Sequence, residues 1–173
     1  MPSRRPAASS RTVASDIAIR PARAGEGQTL TALCVRAKAH WGYDAEFMRL
    51  SQRSLTASEQ AIAEGRVLVA ERERLLFGMA QVASDGELDK MFVDPLGMGR
   101  GVGRALFAAS VALARTFGAR RMAILADPNA APFYERMGAR FVSQASSDAI
   151  PGRTLPLYEY DLEKEPTPRE SNP

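Results

Sequence analysis

Four glycines, Gly97, Gly99, Gly101 and Gly103, stand at alternate positions between Val93 and Leu106. Alternate glycines let the backbone enter conformations closed to other residues, and they strip Cβ atoms from a surface that a ligand must approach closely. The run links a strand-like segment to an amphipathic one, so it ends on the first amides of a helix. Those amides lack intrahelical partners, and together with the helix dipole they favour an anion. The chemistry this suits is the cradling of a phosphate; the plainer use is a tight turn. Two other phosphate loops fail on the letters. A dinucleotide Gly-x-Gly-x-x-Gly would need glycine where Val102 or Arg104 stands, and no Gly-Lys-Ser/Thr follows as a nucleotide P-loop requires. No kinase-type catalytic loop appears downstream.

The elements that must position this loop follow from periodicity. Ile17–Arg20 alternates as a short strand ended by Pro21. Leu30, Leu33, Cys34 and Ala37 recur at helical spacing and predict a helix from about residue 26 to 39. Asp44 can cap a second helix with Phe47, Met48, Leu50, Leu55 and Ile62 as buried positions, ending near Gly65. Residues 67–70 and 75–82 read as an antiparallel hairpin, and 87–93 as the next strand, with Glu87, Asp89, Met91 and Val93 on one face and Leu88, Lys90 and Phe92 on the other. After the glycines, Val102, Leu106, Ala109, Leu113 and Phe117 line one face of a helix stopped by Gly118. A buried strand over 122–126 follows, then a short helix that Asn129 can cap, with Pro132 in its first turn, and two last strands around 141–142 and 155–162. This order describes an α+β domain, α/β in some schemes, with a mixed sheet. No internal repeat is present.

One domain is the expectation for 173 residues, over about 16–163, with disordered tails at 1–15 and 164–173. The 45% hydrophobic and 25% charged content is that of a soluble globular chain. No apolar run suits a membrane span or a signal peptide, so a cytoplasmic address and no membrane partner are expected. Cys34 is alone, which agrees with a reducing compartment. The net charge of +3 sits on Arg4, Arg5 and Arg11 of the first tail, and the remainder is neutral. Without a basic face or a stacking platform, specific nucleic-acid binding is not expected.

The glycine loop resembles the Q/R-x-x-G-x-G/A motif of the GNAT superfamily of acyl-coenzyme A-dependent N-acyltransferases, placed on Met98, Gly99, Arg100, Gly101, Val102 and Gly103. Met98 stands where that family carries Gln or Arg, a departure that leaves the backbone amides untouched. Residues 129–139, an Asn-led segment with Phe133, Tyr134 and Glu135 before Gly138, are similar to the family's second signature. The resemblance implies a GNAT-like, mostly antiparallel sheet flanked by helices, its central strands splayed where acyl-coenzyme A lies between residues 87–93 and 122–126. It implies that the backbone of Met91, Phe92 and Val93 pairs with the pantetheine arm and polarises the thioester carbonyl. Tyr134 matches the family's general acid, protonating the leaving thiolate, or else packs beside Phe133 with its hydroxyl satisfied elsewhere. Glu87 occupies a general-base position, acting directly or through water, and Asp89 points the same way; both can equally be solvated strand residues. Asn129 and Phe133 belong with the cofactor contacts, Asn129 doubling as a helix cap, while Arg100 and Arg104 flank the cradle and pair with phosphates or remain exposed. No metal is expected. Cys34 reads as a buried core thiol, so direct transfer in a ternary complex is expected rather than an acyl-enzyme.

The activity so implied is N-acetyl transfer from acetyl-CoA to an amine of a small molecule or protein; the alternative is a non-catalytic acyl-CoA-binding or partner module. Dimers are common in the family, which leaves a homodimer open. Between the first two helices, His40, Trp41 and Tyr43 precede Asp44, an aromatic and polar cluster that suits an amine through cation–π contact and a carboxylate, or that staples the helices together. Arg153, just before the last strand, can meet an anionic group on the acceptor or stand in solvent.

Overall fold

Residues 17–164 are described by the structure, a computed structural model. The expected tails lie outside the described residues, apart from Lys164. Seven strands form two antiparallel sheets. The first has the order β1 (Ala18–Pro21), β2 (Val67–Arg72), β3 (Leu75–Val82), β4 (Leu88–Val93); the second has the order β5 (Arg121–Leu125), β7 (Thr154–Asp161), β6 (Arg140–Ser146). β4 and β5 lie beside each other at the seam between the sheets without a hydrogen-bonded ladder. The β2–β3 turn is made by Glu73 and Arg74 at φ 51° and 65°, a left-handed pair of the kind that matches strand twist in a two-residue hairpin.

Alternation along β2 assigns each face to a core. Val67 and Val69 meet α1 (Gly27–Ala39), α2 (Ala45–Leu55) and α3 (Glu59–Ala63) through Leu30, Leu33, Cys34, Leu55 and Ile62. Leu68 and Ala70 face a second core built from α4 (Val102–Thr116) and both sheets, including Leu88, Met122, Ile124 and Tyr158. That second core joins the two sheets behind the seam. α5 (Ala131–Arg136) follows β5, and Phe133 and Tyr134 pack on Phe107 of α4.

Several expectations are corrected. The second helix is two: Thr56 is extended, the Ala57 amide donates to Thr31 Oγ1 at 3.0 Å, and Ser58 caps α3 through the Ala61 amide at 3.1 Å. Phe47, Met48 and Leu50 are only partly buried. The buried stripe of α4 is Val102, Leu106, Phe107, Ser110, Val111 and Ala114, rotated from the expected one, and Phe117, which caps the helix after its last residue Thr116, is exposed. In β4 the register jumps from Gln81↔Lys90 to Val82↔Leu88, so Asp89 is the extra residue of a bulge. Simple alternation fails there: Leu88 joins the same core as Met91 and Val93, while Phe92 packs on the other. Among the described residues no helix is long and apolar enough to cross a membrane.

Leu106 is fully buried where α4 crosses β3 and touches the space a Cβ on Gly78 would fill. Leu106→Ala is expected to lower unfolding free energy by about 2–5 kcal/mol, read by urea titration.

Candidate active site

The glycine loop is held at both ends. Where β4 stops, the Asp94 carboxylate accepts from the Leu96 amide at 3.0 Å and caps the short 3-10 turn Pro95–Gly97. Asp94 is 6% exposed, and its other oxygen accepts from Arg36 of α1 through Nε at 3.0 Å and Nη2 at 2.7 Å. Gly101 caps α4 in the left-handed region at φ 80°, where a Cβ would be strained, and no side chain caps the helix. The amides that open α4, from Val102 to Arg104, therefore have no capping side chain. A Cβ on Gly103 would stand 3.2 Å from the Phe133 ring, so α5 bounds the loop on its far side.

From the loop a cavity of about 690 Å³ runs along the seam between β4 and β5. It gathers Glu87, Asp89, the run Met91–Val93, Met98, Gly99, the run Gly101–Arg104, Asn129, Phe133, Tyr134, Trp41 and Arg153. Arg100 and His40 do not line it. Arg100 is exposed in the turn before α4, and His40 is exposed at the end of α1, edge-on to Trp41 at 5.4 Å. Asn129 does not cap α5, whose first position follows Ala130; its amide nitrogen instead donates to Asp127 Oδ1 at 3.0 Å and to the Tyr43 hydroxyl at 3.2 Å.

Tyr134 is buried, burial raises its phenol pKa well above the ordinary value, and its hydroxyl makes no hydrogen bond among the described residues. It remains protonated through the neutral range and free to donate. Glu87 sits exposed on the cavity wall. Partial desolvation there, reinforced by the charges of Asp85, Asp89 and Asp148, raises its carboxyl pKa. Asp89 differs: it accepts from Gln81 across the bulge and from Lys90 Nζ at 2.9 Å. Cys34 lies in the core with its thiol pushed up to about 12 by burial, and it is not a cavity residue.

At the end of β5 a polar corner closes the cavity. Asp127 accepts from Lys38, from the Tyr43 hydroxyl at 2.9 Å and from the Asn129 amide at 2.9 Å. Burial alone would raise its pKa; the bonds from Lys38 and Asn129 and the Lys38 charge outweigh that and lower it. Tyr43 stacks on Phe47 at 3.9 Å, and Arg153 lies over both rings at 5.3 and 4.7 Å while donating to the Tyr43 hydroxyl at 3.0 Å. Tyr43 itself does not line the cavity; its hydroxyl bonds Asp127, Asn129 and Arg153, which do.

The sequence model of the acetyltransferase (GNAT) domain matches residues 23–149, well over half of the chain. The chain belongs to the GNAT acetyltransferase family. Among solved structures, it is similar to the PaiA N-acetyltransferase of Thermoplasma acidophilum in complex with coenzyme A, with TM-score 0.69 at 15% identity over 84% of this chain and 99% of that one. It is similar also to YncA of Salmonella typhimurium with acetyl-CoA (0.62, 22%, 90% and 99%) and to a GCN5-related N-acetyltransferase of Rhodopseudomonas palustris (0.67, 22%, 84% and 95%). At these identities the likeness is one of fold. No curated protein matches the sequence.

Within this GNAT domain, Lys38, Asp127 and Asp148 line the cavity without having been singled out in the sequence. Lys38 is one basic residue in the last turn of a helix, and Asp148 one acid in a loop, and neither position carries a local signature. Asp127 had a faint one, since an acid followed by Pro128 and Asn129 is a turn opener.

Asp94→Ala removes both the turn cap and the partner of Arg36. It is expected to cost about 1–3 kcal/mol in chemical denaturation, and Asp94→Asn, which keeps an acceptor for the Leu96 amide, less.

Proposed function

We propose that this GNAT domain transfers an acetyl group from acetyl-CoA to the nitrogen of an amine, by direct attack in a ternary complex. One observation carries the reading: the uncapped amides of α4 open onto the same cavity as an unbonded phenol and a carboxylate of raised pKa. The cradle fits a pyrophosphate, with Val102, Gly103 and Arg104 offering amides and the Arg104 side chain lining the wall. Met91 to Val93 lie on the edge of β4 that has no ladder, so their backbone groups suit the amides of a pantetheine arm and the thioester oxygen. The PaiA and YncA neighbours were solved with coenzyme A and acetyl-CoA respectively.

Acetyl-CoA supplies the thioester when bound. Glu87, directly or through water, takes a proton from the acceptor ammonium and leaves a neutral amine. The amine nitrogen bonds to the carbonyl carbon and the carbon–sulfur bond breaks. Tyr134 gives its proton to the departing sulfur and is restored by the proton the nitrogen sheds. Cys34, buried in the core and not lining the cavity, takes no part. The departure at Met98 favours a second reading, a GNAT fold that binds acyl-CoA without turning it over.

The two readings separate in a thiol-release assay with acetyl-CoA and a panel of amines: turnover supports the first, and tight acetyl-CoA binding with no turnover on any amine supports the second. Tyr134→Phe is expected to lower kcat by about a hundredfold with acetyl-CoA affinity nearly unchanged. A base must be deprotonated to act, so the raised pKa of Glu87 means that kcat/KM rises with pH through a limb above the ordinary carboxylate range. Glu87→Gln should lose that limb from the pH profile while folding normally by circular dichroism.

A further inference from the structure

The corner at the end of β5 holds two cations and one anion. Lys38, Arg153 and Asp127 are all largely sheltered, with side chains 13%, 20% and 14% exposed, so a net positive charge is left facing the cavity. Asp127 cannot cancel both. Its oxygens are already occupied by Lys38, Tyr43 and Asn129, and the Arg153 guanidinium stands back at 3.6 Å. Arg153 spends one nitrogen on the Tyr43 hydroxyl; its Nε and Nη1 make no hydrogen bond among the described residues. The guanidinium carbon lies against the side of the stacked Tyr43–Phe47 pair, 5.3 and 4.7 Å from the two ring centres. A sheltered guanidinium with two unbonded donor nitrogens, paired only at 3.6 Å with an Asp127 that three other groups already engage, suits a planar anion that accepts two parallel bonds. A carboxylate brings the single negative charge that neutralises the corner; a phosphate dianion would overshoot it beside Asp127.

The opposite charge lies on the same loop. Ser147 to Arg153 is a short turn closed by the Ser147 amide on the Arg153 carbonyl at 2.8 Å and by the Ala149 and Ile150 amides on Ser147 Oγ. Asp148, at its start, lines the cavity and acts electrostatically on Glu87. Neither Glu87 nor Asp148 has an ion-pair partner among the described residues, whereas Asp89 has Lys90. One loop thus contributes to a negative side and a positive side of one cavity.

We propose that the acetyl acceptor is a small amino acid, its carboxylate held by Arg153 and Lys38 and its amine facing Glu87. The assignment rests on the amine-acetylation reading above and narrows it. It gives Tyr43 a positioning role: its hydroxyl accepts from Arg153 and holds the guanidinium without touching the acceptor's reacting atoms.

The test is a comparison of each standard amino acid with its own C-terminal carboxamide, by thiol release with acetyl-CoA and by calorimetric binding to the protein saturated with coenzyme A. The best amino acid is expected to exceed its carboxamide in kcat/KM by about tenfold to a hundredfold, the scale of a hydrogen-bonded charge pair. Arg153→Gln should bring that ratio close to one while leaving the KM for acetyl-CoA unchanged, and a ratio taken within one variant does not depend on how much of it is folded. Carboxamides used as well as the acids, a ratio that survives in Arg153→Gln, or a variant whose defect lies in the acetyl-CoA KM would each overturn the assignment. If no amine turns over, acetyl transfer fails as the function; binding of an amino acid in preference to its carboxamide would then still support the carboxylate site, and equal or absent binding would remove it.

Discussion

β4 finds a ladder on one side only, and the rest of the site depends on that. It pairs with β3, while β5 alongside it pairs with β7, so a strand edge lies in the interior of the fold. Unpaired backbone groups are expensive to bury and templating to any extended partner. The seam stays open because the hydrophobic core that joins the two sheets lies behind it, where Leu88, Val102, Leu106, Met122, Ile124 and Tyr158 share one cluster. α4 is the bracket across that core, and the same helix presents its uncapped amides at the end of the seam. An open edge and an anion cradle are therefore two consequences of one helix packing.

Both ends of β4 are fixed by side chains that reach from elsewhere. At its start, Gln81 binds Asp89 across the bulge and also accepts from the Ser58 amide at 3.2 Å, tying the cap of α3 to the strand residues that carry the acids. At its finish, Asp94 joins the last strand residue to Arg36 of α1. The helices on one face thus determine where the open edge of β4 sits, although the glycine loop opens into a helix on the other face.

Charge inside the cavity is arranged by sharing rather than by simple pairing. Asp127 serves Lys38, Tyr43 and Asn129, and Asp89 is engaged by Lys90 and Gln81. Glu87 and Asp148 have no ion-pair partner among the described residues, and Arg153 has only the 3.6 Å approach to Asp127, so opposite charges face the cavity from two sides.

Most of the strand and helix order, the place of the glycine loop at the start of α4 and the lining of one cavity by Met91–Val93, Tyr134 and Glu87 follow from local features: alternate glycines, periodic apolar residues and two motifs at the proper separation. These are properties of neighbouring residues, and a chain carries them wherever it folds. The break between α2 and α3 was not legible, because the extended turn is stabilised by Thr31 and Gln81 from distant segments. Nor was the bulge at Asp89, which reassigns Leu88 to the other face of β4 and depends on the register with β3. Arg100 and His40, read from proximity in sequence, fall outside the cavity, while Lys38 and Asp127, separated by 89 positions, meet within it. The sequence by itself determined the fold and the uncapped glycine-led start of α4, since both arise from short-range pattern and backbone freedom. Only the tertiary structure decided which charges face one another, because Coulomb interaction acts between groups that folding, not sequence order, brings together.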